Sequence, residues 1–164
     1  MKQLFLSLLL SLLVFSTSHA ADSLTVTDSW IPEAPPGARV MAAYMNIQNT
    51  SINSIDIIAV SSPAFDSVEM HLSREVDGIA KMLQQDKLSV AAKSTLVLEP
   101  GSYHLMLMKP KKRLLDGEKA EINLTLSNKE ILTINVAVKK STRKNNGGMK
   151  CAAGKCGGGK CGGK

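Results

Sequence analysis

The stretch Glu121-Ile122-Asn123-Leu124-Thr125-Leu126 alternates polar and apolar residues, and Leu132-Thr133-Ile134-Asn135-Val136 repeats the alternation after a Ser127-Asn128 turn. A period of two places alternate side chains on opposite faces, one buried and one solvated, as in a β-strand at the surface of a sheet. We therefore predict that these two segments form a pair of β-strands joined by a turn.

The chain before this pair reads in the same way, as short strands separated by turn sequences such as Pro35-Pro36-Gly37 and Glu99-Pro100-Gly101. No apolar stripe of helical period and useful length follows residue 20. Many short strands within about 118 residues are typical of an all-β sandwich or small barrel. The predicted strands are Ser23–Ser29, Val40–Gln48, Ser54–Val60, Phe65–Leu72, Ile79–Gln85, Thr95–Leu98, Tyr103–Met108, Ala120–Leu126 and Ile131–Val138.

The first twenty residues have the composition of a secretory signal. Met1-Lys2 precedes an apolar run over residues 4–15, which is too short to span a bilayer, and Ser18-His19-Ala20 offers small residues at a cleavage site. We predict cleavage after Ala20 and export of one folded domain over residues 21–138; an uncleaved membrane anchor is the alternative.

The composition changes abruptly after Val138. Residues 139–164 are rich in Lys, Gly, Asn and Cys, with Lys-Cys recurring every five residues, and we predict a disordered tail. The tail holds eight basic residues and no acidic one, whereas residues 21–138 hold eleven basic and fourteen acidic residues, a net charge of −3. The formal charge of +6 for the whole chain therefore belongs to its ends, and the composition does not favour a nucleic-acid-binding protein.

Histidines and methionines occur close together in the body of the chain. After loss of the signal only His71 and His104 remain. If the segments on either side of Asp77-Gly78 form a hairpin, Met82 can face His71 across it. On the strand from Tyr103, the residues His104, Met106 and Met108 share one face.

Imidazole and thioether ligands of this kind suit a soft ion, and we predict binding of Cu(I) over Mg²⁺, Ca²⁺ or Zn²⁺. The alternative is structural, because methionine in a β-protein commonly serves packing and a single histidine near a strand end commonly binds nothing.

The spacing His71-x10-Met82-x21-His104-x-Met106 resembles the signature of the PCuAC-type periplasmic copper chaperones. Surrounding segments over residues 23–138 resemble the family as well, above all the stretch from Leu98 to Met108. Two segments depart from the family pattern: Ile31-Pro32, where an Arg commonly follows the Trp, and Lys109-Pro110, where a small residue is usual.

This resemblance implies a cupredoxin-like Greek-key β-barrel whose metal ligands are His71, Met82, His104 and Met106, with Met70 and Met108 near the site. The signal predicts a periplasmic location, and nothing in the sequence suggests an obligate interface, so we expect a monomer. The body lacks cysteine and both of its histidines belong to the metal set, so no Ser/His/Asp or Cys/His catalytic set is available and we predict that the protein is not an enzyme. A protein of this family delivers copper to the CuA centre in subunit II of cytochrome c oxidase, or supports oxidase assembly together with a Sco-type thiol protein. A periplasmic copper buffer or resistance protein is the main alternative.

The tail carries its own soft ligands, Met149, Cys151, Cys156 and Cys161. Thiolates bind Cu(I) tightly and neighbouring lysines favour the thiolate form, so we predict an auxiliary metal site there. Thiol–disulfide exchange with a partner, which would make the protein a thiol oxidoreductase, and an idle basic tail are the alternatives.

Overall fold

The computed structural model describes residues 24–76 and 78–140, so residues 1–23, Asp77 and residues 141–164 lie outside the described residues. Ten strands make up this part of the chain. They are β1 (Leu24–Pro32), β2 (Val40–Asn49), β3 (Ile55–Ser61), β4 (Phe65–Val76), β5 (Ile79–Gln84), β6 (Leu88–Val90), β7 (Thr95–Leu98), β8 (Tyr103–Pro110), β9 (Lys119–Leu126) and β10 (Ile131–Lys139).

The strands form one continuous hydrogen-bonded sheet in the order β5-β4-β8-β7-β2-β1-β10-β9-β3-β6. Strand β8 pairs with β2 as well as with its neighbour β7. Most pairs are antiparallel, and the β1–β10 and β7–β8 pairs are parallel. Because the sheet curls around one shared core, the predicted all-β fold is confirmed, with β5 and β6 left as the two edges of an incompletely closed barrel.

The core collects alternate residues from nearly every strand, as the period-two pattern predicts. Ile122, Leu124 and Leu126 of β9 face inward, as the polar–apolar alternation of residues 121–126 predicts. Ala43, Met45 and Ile47 of β2 do the same. Three of the four Ala/Met residues in the 41–45 segment therefore serve packing: Met41, Ala43 and Met45.

Buried Asn49, at the end of β2, ties the sheet to its edge strand β6. Its side-chain amide donates hydrogen bonds to the carbonyls of Asn53 (2.8 Å) and Val90 (3.0 Å). Its side-chain oxygen accepts from the backbone N–H of Ser51 (2.9 Å). All of its polar groups are thus paired, which is the condition for burying an amide without a large desolvation cost.

Two differences from the predicted strands matter for the site. Strand β4 continues four residues beyond the predicted end, to Val76, and so forms a long hairpin with β5. The short strand β6 was not predicted, because three residues are too few to display a periodic pattern. Within the described residues there is no helix long and apolar enough to cross a membrane.

Candidate metal centre

The centre of the antiparallel β4–β8 pair brings the two histidines face to face. His71 and His104 are register partners, and their ring centroids lie 5.8 Å apart with the planes inclined by 31°. Imidazole nitrogens bind first-row metals at about 2.0–2.1 Å, so two rings that flank one ion have centroids on the order of 6 Å apart. Both rings are buried, with exposures of 8% for His71 and 4% for His104.

Glu69 sets the state of the His71 ring. The Nε2 atom of His71 lies 2.9 Å from a carboxylate oxygen of Glu69, two residues earlier on the same face of β4. A carboxylate accepts hydrogen bonds, so Nε2 carries a proton, and the neutral form of the ring has its free lone pair on Nδ1. Nδ1 is buried and, among the described side chains, is the single buried polar atom without a hydrogen-bond partner.

The ring of His104 is fixed by the opposite nitrogen. Its Nδ1 lies 3.1 Å from the carbonyl oxygen of Ser102 and must donate to it, which leaves Nε2 with the lone pair. The nitrogens that these contacts leave for a ligand therefore differ, Nδ1 in His71 and Nε2 in His104. A hydrogen bond from the second ring nitrogen is the usual way in which proteins orient a metal-binding histidine.

The register places both predicted thioethers on the histidine face of the sheet. Met106 follows His104 by two residues and pairs with Glu69. Met82 of β5 pairs with Ser73, and His71 pairs with Gln84. Met82 is thus a diagonal neighbour of His71 and not its direct partner, which corrects the predicted pairing while keeping both side chains on one face. Met82 is 63% exposed, so it forms the solvent side of the site.

The structure separates the two methionines that were expected near the site. Met70 points to the other face of β4 and is buried in the hydrophobic core, so its expected place beside the site is wrong. Met108 is on the histidine face, where it pairs with Ser67, four residues along β8 from His104. The predicted auxiliary ligands Met149, Cys151, Cys156 and Cys161 lie outside the described residues.

An open depression of about 810 Å³ lies over this face. Met82, His104 and Met106 line it together with two aromatic side chains, Trp30 and Tyr44. Tyr44 contacts both neighbours, with ring centroids 4.9 Å from Trp30 and 6.4 Å from His104. A bulge in β1 between Thr27 and Trp30 shifts the register so that Trp30 pairs with Tyr44.

The four candidate ligands, two imidazoles and two thioethers, carry no formal charge when the imidazoles are neutral, and the solvent-exposed ligand is the soft thioether of Met82. No group of three or more His, Cys, Asp or Glu side chains that could hold a metal occurs within residues 24–76 and 78–140. Sequence reasoning missed Glu69 and the Ser102 carbonyl. The first could have been noticed as a carboxylate two residues before a histidine on a strand, whereas the second depends on the backbone turn.

Comparison with known proteins places the chain in a family. The LpqE-like family, described as "Putative lipoprotein LpqE-like", matches residues 24–138. The chain belongs to the LpqE-like family. "Putative lipoprotein Lxx21020" of Leifsonia xyli is 31% identical over 127 residues, which are 76% of this chain and 75% of that protein. Uncharacterized protein RP573 of Rickettsia prowazekii is 28% identical over 98 residues, and the match spans 54% of its length.

Solved structures similar to this LpqE-like chain are PCuAC domains and a Deinococcus radiodurans protein. The copper-bound PCuAC domain from PmoF2 has a TM-score of 0.63 at 23% identity, over 74% of this chain and 97% of that domain, which supports the cupredoxin-like fold. The Cu(I) form of DR1885 from Deinococcus radiodurans is 31% identical, with a TM-score of 0.59, over 74% of this chain and 83% of that one. The prediction that the chain is not an enzyme agrees with this family of binding proteins.

Proposed function

We propose that this chain is an exported Cu(I)-binding protein that holds one ion with His71, Met82, His104 and Met106 and passes it to a receiving protein. The observation that carries the proposal is the pair of buried, facing imidazoles, one of which has a buried Nδ1 with no partner. A buried acceptor nitrogen without a hydrogen-bond donor costs desolvation free energy unless a ligand binds to it. A bound cation at that point would remove the cost.

The four ligands explain a preference for Cu(I). Thioether sulfur binds Cu(I) well and hard divalent ions poorly, and imidazole accepts either class. All four ligands are neutral, so their site keeps the full charge of the ion, which disfavours divalent metals further. The carboxylate of Glu69 lies behind His71 and offsets part of that charge.

The arrangement is also suited to release. Met82 is on an edge strand and mostly exposed, so one ligand can be replaced from solvent while the histidines stay fixed. A receiving protein with thiolate ligands would draw the ion onward, because thiolates bind Cu(I) more tightly than thioethers do. Similarity to the Cu(I) form of DR1885 supports copper as the cargo.

For the recipient we propose the CuA centre in cytochrome c oxidase subunit II, reached directly or through a Sco-type thiol protein in the periplasm. Mixing the Cu(I)-loaded chain with a soluble apo-CuA domain tests this, with the purple CuA absorption as readout after an oxidised copper equivalent is supplied. Metal appearing in the domain at a rate that exceeds transfer from a small-molecule Cu(I) complex of equal affinity supports delivery. An equal rate would mean that no specific handover occurs.

Copper buffering remains the alternative function, favoured by the extra soft ligands Met149, Cys151, Cys156 and Cys161. The wild-type chain and a C151S/C156S/C161S variant would be compared for Cu(I) stoichiometry under anaerobic, reducing conditions. A higher stoichiometry for the wild type supports an auxiliary site in the tail, and equal stoichiometry removes it. Loss of the gene should impair oxidase in a delivery protein and copper tolerance in a buffer.

The domain limits stay part of this proposal, with a signal over residues 1–20, a monomeric copper-binding domain over 21–138 and a disordered tail over 139–164. Strand β10 ends at Lys139, which agrees with a folded domain that finishes there. Mass spectrometry of the exported protein would test cleavage after Ala20.

A further inference from the structure

Seven basic side chains gather at one end of the barrel, remote from the tip of the β4–β5 hairpin. We call this surface the basic end; it consists of Arg39, Lys109, Lys111, Lys112, Arg113, Lys139 and Lys140. The first five line one depression of about 400 Å³. Glu33 joins Lys139 to them, because its N–H donates to the Lys139 carbonyl (2.7 Å) and its carboxylate lies 3.6 Å from the guanidinium of Arg113.

The charges of the folded part are segregated between this surface and the rest. Four carboxylates lie within the basic end, so its net charge is +3: Glu33, Asp66, Asp116 and Glu118. The other charged residues between 24 and 140 are six basic and nine acidic, a net charge of −3. Among the described residues, no carboxylate lies within ion-pair distance of Arg39 or Lys111. These two cations are available to an anionic target.

An exposed apolar side chain lies shortly after Lys111, Lys112 and Arg113 in the chain. In the β8–β9 loop Leu114 is buried, whereas the next residue, Leu115, is 44% exposed. Glu118 fixes this loop by accepting from the Leu115 N–H (2.7 Å) and from the ammonium of Lys112 (2.9 Å). Basic side chains around an exposed leucine are the combination that favours adsorption to a charged lipid–water interface.

The chain also continues from this end. Strand β10 finishes at Lys139, and residues 141–164 add six basic residues and no acidic one. A target that engages both the basic end and this segment must present negative charge over a wide area. A flat anionic lipid surface presents negative charge over such an area, whereas a single acidic pocket on a protein would contact only the β8–β9 loop.

We propose that the basic end docks peripherally on the surface of an anionic phospholipid bilayer. The attraction is electrostatic, with Leu115 entering the headgroup region. This docking does not depend on copper. It has a consequence for the proposed function, because the depression at the basic end shares Ala34, Pro35 and Met41 with the one over the metal centre. Docking would hold the metal centre close to a membrane-bound recipient.

The test is co-sedimentation of the full mature chain with large vesicles of phosphatidylglycerol and phosphatidylcholine, or of phosphatidylcholine alone, at several salt concentrations. An R39E/K111E variant removes the two available cations. The matched control is R74E/K81E, which reverses the same number of charges on an exposed cross-strand pair of the hairpin. A Leu115→Ser variant tests the apolar contact, and circular dichroism with Cu(I) titration confirms that each variant is folded.

The proposal predicts binding to the anionic vesicles only, weakened by salt. Each basic residue near an anionic surface contributes about a fivefold change in partition, so R39E/K111E should bind at least ten-fold more weakly while R74E/K81E stays within about two-fold of wild type. Leu115→Ser should give a smaller loss. Equal binding to both vesicle types, no binding to either, or equal behaviour of the two double variants would overturn the proposal, whatever the outcome of the copper experiments.

Discussion

At the scale of single residues, the metal centre depends on which nitrogen each histidine leaves free. Glu69 holds the Nε2 proton of His71 and the Ser102 carbonyl holds the Nδ1 proton of His104. These contacts favour one tautomer of each neutral ring, so binding of an ion does not have to select it. The backbone carbonyl cannot be removed by substitution, but the carboxylate can.

We therefore predict that Glu69→Ala weakens Cu(I) binding by roughly ten- to a hundred-fold, the usual effect of losing a partner that orients a ligating histidine. Glu69→Gln keeps an acceptor oxygen without the charge and should lose less. Competition with a chromogenic chelator measures the affinities, and ¹⁵N NMR of the imidazoles reports the tautomer. If Glu69→Ala binds as tightly as wild type, Glu69 does not position His71.

At the scale of strands and loops, two polar contacts hold the frame around the site. Asn49 joins β2 to β6 at the sheet edge, and Glu118 organises the loop between β8 and β9. In both cases a side chain satisfies backbone groups that the sheet itself leaves unpaired, which is the function that such residues commonly have at strand ends.

Asn49→Ala should lower the free energy of unfolding by about 2–4 kcal/mol, because it leaves a cavity and removes the partner of the buried Val90 carbonyl and of two part-buried backbone groups, the Ser51 N–H and the Asn53 carbonyl. The matched control is Asn46→Ala on the same strand, which removes an exposed hydrogen bond to Asp28 (3.0 Å) and should cost under about 1 kcal/mol. Urea denaturation measures both. A similar loss in the two variants would contradict the structural importance assigned to the buried amide.

The pKa of Glu118 is lowered from 4.5 by the hydrogen bond from the Leu115 N–H and then by Lys112. A depressed folded-state pKa stabilises the protein fully above the unfolded value and loses this contribution as the pH falls through the folded value. Glu118→Gln should therefore melt below wild type at pH 7, and the two melting temperatures should converge below pH 4. A constant difference across this range would contradict the assignment.

Much of this frame was predictable from sequence because the strands alternate cleanly, as in Ile122 and Leu124. The common face of His104 and Met106 followed from the same period. The pairing register of β4 and β5 was not predictable from the sequence. Met82 was therefore expected opposite His71, whereas it lies opposite Ser73. Met70 points inward because its face of β4 meets the core. The adjacent pair Met70-His71 does not show from sequence alone which of the two side chains is on the core face.

At the scale of the whole molecule, two neighbouring surfaces have separate proposed functions, which are metal binding and membrane docking. The barrel presents the proposed metal centre in an open depression lined by Trp30 and Tyr44. The basic end next to it carries the opposite charge from the remainder of the folded part. In the proposed function, the cargo site and the docking surface of this LpqE-like chain therefore lie side by side.

The most direct test of this account is Cu(I) binding to the C151S/C156S/C161S chain, which has no thiol, by anaerobic competition with a chromogenic chelator. A second protein would add H104A/M106A to it, and a third would add Met108→Ala as the matched control. The account predicts one tightly bound ion in the first and third proteins and loss of that ion in the second. Absence of tight binding in the first protein, or an unchanged ion in the second, would show that the facing histidines and their methionines are not the copper site.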